Sequence, residues 1–219
     1  MHKIQLIEPE RWLNIIQRWI KLQEQHPRIE NFAPIGADIF VFVYPILLLS
    51  LYIYDIVKKK TEQKIAALFI FFSTFISTLC NIWIQCLFNK DRPLITLNMS
   101  GTEETLLHEI LPASSFPSDH ATVSMSFAIA TLIWWIYSKK KFYIRTWIFL
   151  IIISLIMTFC RILTLVHRPT DILWGIVLWI TIPCILIIKP IRNILIKYII
   201  NPIINLEKWI MLKLFKYQQ

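Results

Sequence analysis

Long apolar segments separated by short polar ones dominate the pattern of the chain. Five apolar runs suit helices that cross a membrane, at residues 37–57, 65–88, 120–137, 146–166 and 171–188. The first would be about 31 Å long at ~1.5 Å per residue, which matches the hydrocarbon core of a bilayer. We expect Pro45 to kink it and Asp38, near its start, to lie at the membrane interface. The pattern therefore predicts an all-α, polytopic membrane helix bundle over residues 37–188, within a single domain of residues 1–219.

Two amphipathic segments flank the apolar runs. Residues 9–23, within the N-terminal segment 1–34, repeat apolar side chains at helical spacing, with Trp12 and Trp19 on one face. This helix could lie in the plane of the bilayer surface or pack against the helix bundle. The basic tail, residues 189–219, also keeps apolar side chains in helical register, and we expect it to lie along the inner membrane surface.

Composition and charge agree with a membrane protein. Hydrophobic residues make up 56% of the 219 residues, and the mean hydropathy is +0.57, which lipid explains better than a water-soluble core does. The formal net charge of +9 could indicate a nucleic-acid partner. Because the lysines gather in short segments between apolar runs, we interpret them as topology signals and expect no nucleic-acid partner.

The basic segments orient the five predicted helices. Residues 58–64, residues 139–145 and the tail from Lys189 are strongly basic, and with five spans they fall on the same side. The positive-inside rule makes that side cytoplasmic. The opposite segment, residues 89–119, carries more acidic than basic residues and is predicted to be an outer loop. The sequence thus predicts a multi-pass protein of the cytoplasmic, or inner, membrane.

The chain shows no pattern of metal ligands. His108 and Glu109 resemble part of a metal-binding helix, but the second histidine of H-E-x-x-H is missing, so a loop or interfacial role is expected. The four cysteines lie within apolar segments without a C-x-x-C pair, and we interpret them as inert buried thiols: Cys80, Cys86, Cys160 and Cys184.

Polar residues at the helix ends converge on the outer face. Arg92 follows the second apolar run, and the segment Pro117-Ser118-Asp119-His120 leads into the third. Arg161 and His167 close the fourth run, and Asp171 begins the fifth. With the topology given above, all of these residues reach the same face of the membrane.

The arginines suit the binding of a phosphoryl group. Arg92 and Arg161 can each form bidentate, charge-assisted hydrogen bonds with its oxygens, and Ser118 with the start of the third helix adds donors. The alternative for Arg161 is a side chain that snorkels to the interface, but an arginine within a span is more often functional. Lys90 is a further candidate phosphate contact, with a solvated interfacial anchor as the alternative.

The histidines suit transfer of that group. His167 is the candidate nucleophile, Asp171 the carboxylate that orients it, and His120 the general acid that protonates the leaving oxygen. Asp171 could also cap the fifth helix, and the two roles are compatible. Simple anion binding needs arginines but no nucleophile, so these residues together favour catalysis over binding alone.

These residues resemble the type 2 phosphatidic acid phosphatase (PAP2) superfamily, whose pattern is K-x6-R-P, then P-S-G-H, then S-R-x5-H-x3-D. The resemblance covers residues 85–175 and implies a membrane phosphatase with a helical-bundle core and the roles given above. It also implies that the enzyme needs neither a metal nor another cofactor. The usual core of the family has six spanning helices, one more than predicted here, and the amphipathic N-terminal helix could stand in for it. The matching positions are Arg92-Pro93, Pro117-Ser118-Asp119-His120, Arg161, His167 and Asp171.

The chain departs from the family pattern at three positions. Gln85 replaces the lysine of the first motif, Asp119 replaces glycine, and Cys160 replaces serine. The first two departures, and the string Ser115-Phe116-Pro117-Ser118-Asp119-His120, resemble the bacterial undecaprenyl-diphosphate phosphatases of the bacitracin-resistance type. Asp119 is then a candidate for handling protons or the second phosphate of a diphosphate. Cysteine is a weak hydrogen-bond donor, so Cys160 implies a looser phosphate contact.

The resemblance implies hydrolysis of undecaprenyl diphosphate at the extracytoplasmic face, through a phosphohistidine on His167. Such an enzyme recycles the carrier lipid for cell-wall building. The alternatives are a phosphatase of phosphatidic acid, phosphatidylglycerophosphate or lipid A, and a non-catalytic protein that binds or moves a phosphorylated lipid. The expected partners are the lipid substrate and the membrane, and the sequence identifies no protein partner.

Overall fold

The described part of the chain is helical almost throughout, which confirms the all-α prediction. The computed structural model describes residues 4–5, 10–58, 60–93 and 114–216, so His108, Glu109 and most of the predicted outer loop lie outside the described residues. The helices are α1 (Glu10–Gln25), α2 (Pro27–Asp38), α3 (Val43–Val57), α4 (Glu62–Leu87), α5 (Asp119–Ser138), α6 (Lys141–Leu163), α7 (Pro169–Leu186), α8 (Lys189–Leu195) and α9 (Asn201–Lys216). Two residues of β1 (Ile4–Gln5) pair in parallel with β2 (Phe88–Asn89).

Within the described residues, five helical segments are long and apolar enough to cross a membrane, as the sequence predicts, and they indicate a membrane protein. They are Phe32–Val57, Glu62–Leu87, Asp119–Ser138, Lys141–Leu163 and Pro169–Leu186. The irregularity in the first is a 3₁₀ turn, Ile39–Phe42, between α2 and α3. Pro45 follows that turn and lies in the first turn of α3, where a missing N–H costs little. The irregular part of the first span therefore lies before Pro45 and not at it.

α5 lies at the centre of the bundle, packed against α4, α6 and α7. Its buried face carries small side chains, among them Ala121, Ser124, Ala128 and Ala130. Small residues let neighbouring helices approach closely, which favours association of helices in a membrane. The hydroxyl of Ser126 bonds the carbonyl of the residue one turn earlier, so it is satisfied inside the bundle.

The basic segments meet at one end of the bundle, which we call the basic end. Lys140 before α6 pairs with Glu62 at the start of α4, with 2.5 Å between Nζ and Oε2. Lys64 in α4 pairs with Glu207 in α9 at 2.6 Å. The three basic segments of the sequence are thereby held on the same side, and α9 of the tail packs beside them.

α1 packs against the other end of the bundle, which we call the site end. Ile16 is buried against Leu165, and the ring of Trp19 lies 5.2 Å from that of Phe159 in an edge-on contact. The sequence allows α1 either to lie on the bilayer surface or to pack against the bundle, and these contacts agree with packing.

Candidate active site

The structure brings the predicted site residues together at the site end. Ser118 is the N-cap of α5, Arg161 lies in the last turn of α6, and His167 is in the loop between α6 and α7. α7 approaches the first turn of α5 at Gly175, where a Cβ would lie 3.2 Å from that of Ala121. The glycine therefore lets the two helix starts pack closely.

Arg161 and His120 are in direct contact. Nη2 of Arg161 lies 2.8 Å from Nδ1 of His120 and also contacts Nε2. The arginine side chain is almost fully buried, whereas the His120 side chain is 22% exposed. A guanidinium only donates, so His120 is the acceptor in this contact. His120 must leave Arg161 before it can carry a proton to a substrate.

His167 is buried, and its hydrogen bond defines its reactive nitrogen. Nδ1 lies 2.9 Å from the carbonyl oxygen of Ser115. Because a carbonyl only accepts, Nδ1 must carry the hydrogen. In the neutral imidazole the lone pair is then on Nε2, the nitrogen that can attack phosphorus. Ser115 was not among the predicted site residues, since its contribution comes from the main chain and no side-chain pattern signals it.

The surroundings of His167 keep it uncharged. Burial lowers the pKa of His167 well below its ordinary value of 6.5, and the nearby charges of Arg161 and Arg92 lower it further. His120 acts in the same direction, and only the hydrogen bond to Ser115 opposes the shift. The neutral, nucleophilic form is thus the favoured one near pH 7.

Asp171 is fully buried and bonded on both carboxylate oxygens. Oδ1 lies 2.6 Å from Nζ of Lys90, and Oδ2 accepts from the hydroxyl of Ser115 at 2.5 Å and from the amide of Arg168 at 2.8 Å. The last bond caps α7, as the sequence allowed. Asp171 thus reaches His167 through Ser115, which holds Nδ1. Its orienting role stays a prediction, now with an intermediate residue.

Lys90 is placed beside that carboxylate. Its ammonium pairs with Asp171 and lies 3.0 Å from the hydroxyl of Thr170. A buried carboxylate without a cation would be strongly destabilised, so Lys90 supports the charge of Asp171. A contact between Lys90 and phosphate stays a prediction.

Two of the residues that depart from the family pattern, Gln85 and Asp119, contact one another. Gln85 in α4 donates from Nε2 to Oδ1 of Asp119 at 2.9 Å and to the carbonyl of Pro117 at 2.9 Å. Asn81, one turn earlier, donates to the same carboxylate oxygen at 2.6 Å. Trp179 fixes that orientation, because its N–H can only donate and it bonds Oδ1 of Asn81 at 3.0 Å.

We expect the two departures to be energetically coupled. Asp119→Gly removes the carboxylate that accepts from two buried amides, those of Asn81 and Gln85. Gln85→Lys draws the new ammonium onto Asp119 and away from phosphate. In the double variant the ammonium is no longer drawn to a carboxylate and the Gln85 donor is gone, so only Asn81 still loses its acceptor. The coupling free energy in kcat/KM for Gln85→Lys and Asp119→Gly should be about 1–3 kcal/mol, with the double variant more active than the product of the single effects indicates. Additive effects in the double-mutant cycle would contradict this pairing.

The third departure, Cys160, contributes to packing between helices. Cys160 is buried, and a Cβ built on Gly36 of α2 would lie 2.7 Å from its Sγ. Only glycine permits that approach. Cys160 therefore faces α2, and the close contact brings the end of α2 towards the residue that follows Cys160, which is Arg161.

Asp38 is a charged residue of this site that sequence reasoning missed. Its Oδ1 lies 2.8 Å from Nη2 of Arg161 and 3.8 Å from Nε2 of His120. The signal was present, because an acidic residue within a spanning segment is costly and often functional. The sequence predicts only an interfacial position for Asp38, because nothing in the sequence shows that the first span lies beside the fourth.

Two comparisons with known proteins gave matches. The family model described as the PAP2 superfamily matches residues 66–193, more than half of the chain and every predicted site residue. The Escherichia coli (strain K12) protein named "Putative undecaprenyl-diphosphatase YbjG" is 28% identical over 153 residues, which cover 68% of this chain and 68% of that protein. No solved structure matches the chain.

Proposed function

The chain belongs to the PAP2 superfamily, and from that membership we propose that it hydrolyses undecaprenyl diphosphate to undecaprenyl phosphate and inorganic phosphate, through a phosphohistidine on His167. The observation that carries this proposal is the bond between Nδ1 of His167 and the carbonyl of Ser115, at 2.9 Å. It leaves the lone pair of a neutral imidazole on Nε2, close to the charges of Arg161 and Arg92. A site for anion binding alone would need the arginines but no such nucleophile.

In the first step, Nε2 of His167 attacks the terminal phosphorus. A P–N bond forms, and the bond from phosphorus to the bridging oxygen breaks. Arg92 and Arg161 hold the phosphoryl oxygens, on which negative charge is spread in the transition state. His120 donates its proton to the oxygen of the departing lipid phosphate.

In the second step, water attacks phosphorus and the P–N bond breaks. His120, now deprotonated, accepts a proton from that water, and inorganic phosphate leaves with the imidazole of His167 neutral again. Ser118 and the amides at the start of α5 are donors for the phosphate, because the N-terminus of a helix favours an anion.

Two features support a diphosphate substrate: the residue Asp119, which departs from the family pattern, and the similarity to YbjG. The name of YbjG mentions undecaprenyl-diphosphatase, and Asp119 adds a carboxylate next to His120 in chain order. We assign Asp119 to proton handling or to the second phosphate group. If so, Asp119→Gly made together with Gln85→Lys lowers the preference for diphosphate over monophosphate, and an unchanged preference would contradict the assignment.

The two ends of the bundle support a proposed placement in the cell. The basic end faces the cytoplasm by the positive-inside rule. The site end then faces the extracytoplasmic side of the inner membrane, where the product lipid phosphate is available for return to cell-wall building.

The pH dependence should report the charge around His167. Protonation removes the lone pair, and because the pKa of His167 is depressed, the acid limb of kcat/KM should lie well below pH 6.5. Arg92→Gln removes one cause of the depression, so the limb should move to higher pH, whatever its effect on the absolute rate. Arg145→Gln, an exposed arginine of α6 at the basic end, is the control. If the acid limb of kcat/KM lies at the same pH in Arg92→Gln as in the wild type, the charge of Arg92 does not lower the pKa of His167.

The proposed activity is tested by release of inorganic phosphate from undecaprenyl diphosphate in detergent micelles. EDTA is added because the chemistry assigned to these residues needs no metal. We expect phosphate release in EDTA, at a higher kcat/KM than with phosphatidic acid, phosphatidylglycerophosphate or lipid A. Greater activity on one of those lipids would replace the substrate. A folded protein that is inactive on all of them would be a binding or transport protein.

A further inference from the structure

Asp38 enters the site from a part of the chain that carries none of the family motifs. It ends α2, within the first span, and lies outside the matched residues 66–193. Its carboxylate contacts Arg161 at 2.8 Å and is close to His120 at 3.8 Å, and its side chain is 55% exposed. A half-exposed anion therefore sits on the buried arginine that is assigned to phosphate.

The backbone around Asp38 is built to place it there. Gly36 permits close contact with Cys160, since a Cβ at this position would lie 2.7 Å from Sγ and would force the thiol or the helix to shift. The 3₁₀ turn Ile39–Phe42 begins directly after Asp38 and connects α2 to α3. A charge within an apolar span is costly unless it has a partner, and Arg161 is that partner.

The carboxylate and a substrate phosphate have the same requirements. Both are anions whose oxygens accept charge-assisted hydrogen bonds from a guanidinium. Two anions beside one guanidinium repel each other, so a phosphate that binds Arg161 gains most if Asp38 moves aside. The half-exposed Asp38 side chain has room to do so, whereas the Arg161 side chain is almost fully buried.

We propose that Asp38 is an exchange residue: its carboxylate holds Arg161 between turnovers, and the phosphate of the substrate displaces it on binding. This assignment rests on the proposed function, because it takes Arg161 as a phosphate ligand. The exchange has a second consequence. When phosphate takes over Arg161, His120 is released from the guanidinium and can carry the proton for the leaving group. Asp38 is thus a positioning residue whose removal changes binding rather than the chemical step.

The test is the affinity of the full chain for inorganic phosphate, measured from the rise of Tm with phosphate concentration in detergent micelles. The variants are Asp38→Asn and Asp38→Ala, with Glu62→Gln as a control that removes an acidic charge at the basic end. Arg161→Ala identifies binding at the site. We expect both Asp38 variants to bind phosphate about fivefold more tightly, the upper range for a partly exposed ion pair. KM for the lipid substrate should fall with kcat nearly unchanged.

The outcomes separate the two proposals. Tighter phosphate binding in both Asp38 variants, with wild-type affinity in Glu62→Gln and lost affinity in Arg161→Ala, supports the exchange. Equal or weaker binding in the Asp38 variants, with affinity still lost in Arg161→Ala, overturns the exchange and leaves the phosphate site intact. Phosphate binding that survives Arg161→Ala removes the premise itself. The Tm without phosphate shows whether each variant is folded.

Discussion

His167→Ala should lower kcat for phosphate release by at least about 10³-fold, because no other group would form the covalent intermediate. The bond from Nδ1 to Ser115, at 2.9 Å, directs Nε2 at the substrate, and alanine removes both nitrogens. KM should change much less, since binding depends on the arginines. Turnover is measured as inorganic phosphate released from undecaprenyl diphosphate in the presence of EDTA.

A matched control shows whether the loss of turnover is specific to His167 or follows the removal of any histidine. His26 is exposed and lies just before α2, so His26→Ala should keep wild-type turnover. His167→Ala must also keep the Tm of a folded protein for its rate to be interpreted. If a folded His167→Ala variant retains a tenth of wild-type kcat, His167 is not the nucleophile.

Arg161→Ala should lower kcat/KM by about 10²–10³-fold, the usual effect of removing one preorganised donor from a developing charge. The loss combines weaker binding of the phosphoryl oxygens with the loss of the group that His120 and Asp38 both contact. Arg161→Lys should recover only part of the activity, because an ammonium keeps the charge but cannot form the two parallel hydrogen bonds of the guanidinium.

Arg145 offers the comparison within the same helix. It lies near the start of α6 at the basic end, and it is exposed. Arg145→Ala removes the same charge and should leave kcat/KM within twofold of wild type, given the distance from the site and the screening by solvent. Full recovery in Arg161→Lys would show that charge alone is needed and would contradict the role of a bidentate phosphate clamp.

The five spans could be predicted because length and apolarity in a membrane decide them almost alone. The gathering of Arg161, His167 and Asp171 at one end followed equally directly, since each lies near a helix end that topology places on one side. No knowledge of side-chain contacts was needed for either prediction.

The contacts between neighbouring helices could not be predicted in the same way. A sequence does not show that Asp38 reaches Arg161, because the first span could pack beside any of the others. Nor does it show that Gln85 holds Asp119, although a lysine and a glycine were both missing from the pattern. Ser115 acts partly through its carbonyl, a group that every residue has.

The most direct test is to quench the enzyme during turnover of undecaprenyl diphosphate labelled with ³²P at the terminal phosphate. Phosphohistidine is stable in base and labile in acid, so the protein is kept alkaline and digested, and its peptides are analysed by mass spectrometry. We expect label on His167 in the wild-type chain and none in His167→Ala. Label on another residue, or a wild-type enzyme that turns over and never carries label, would contradict the phosphohistidine mechanism.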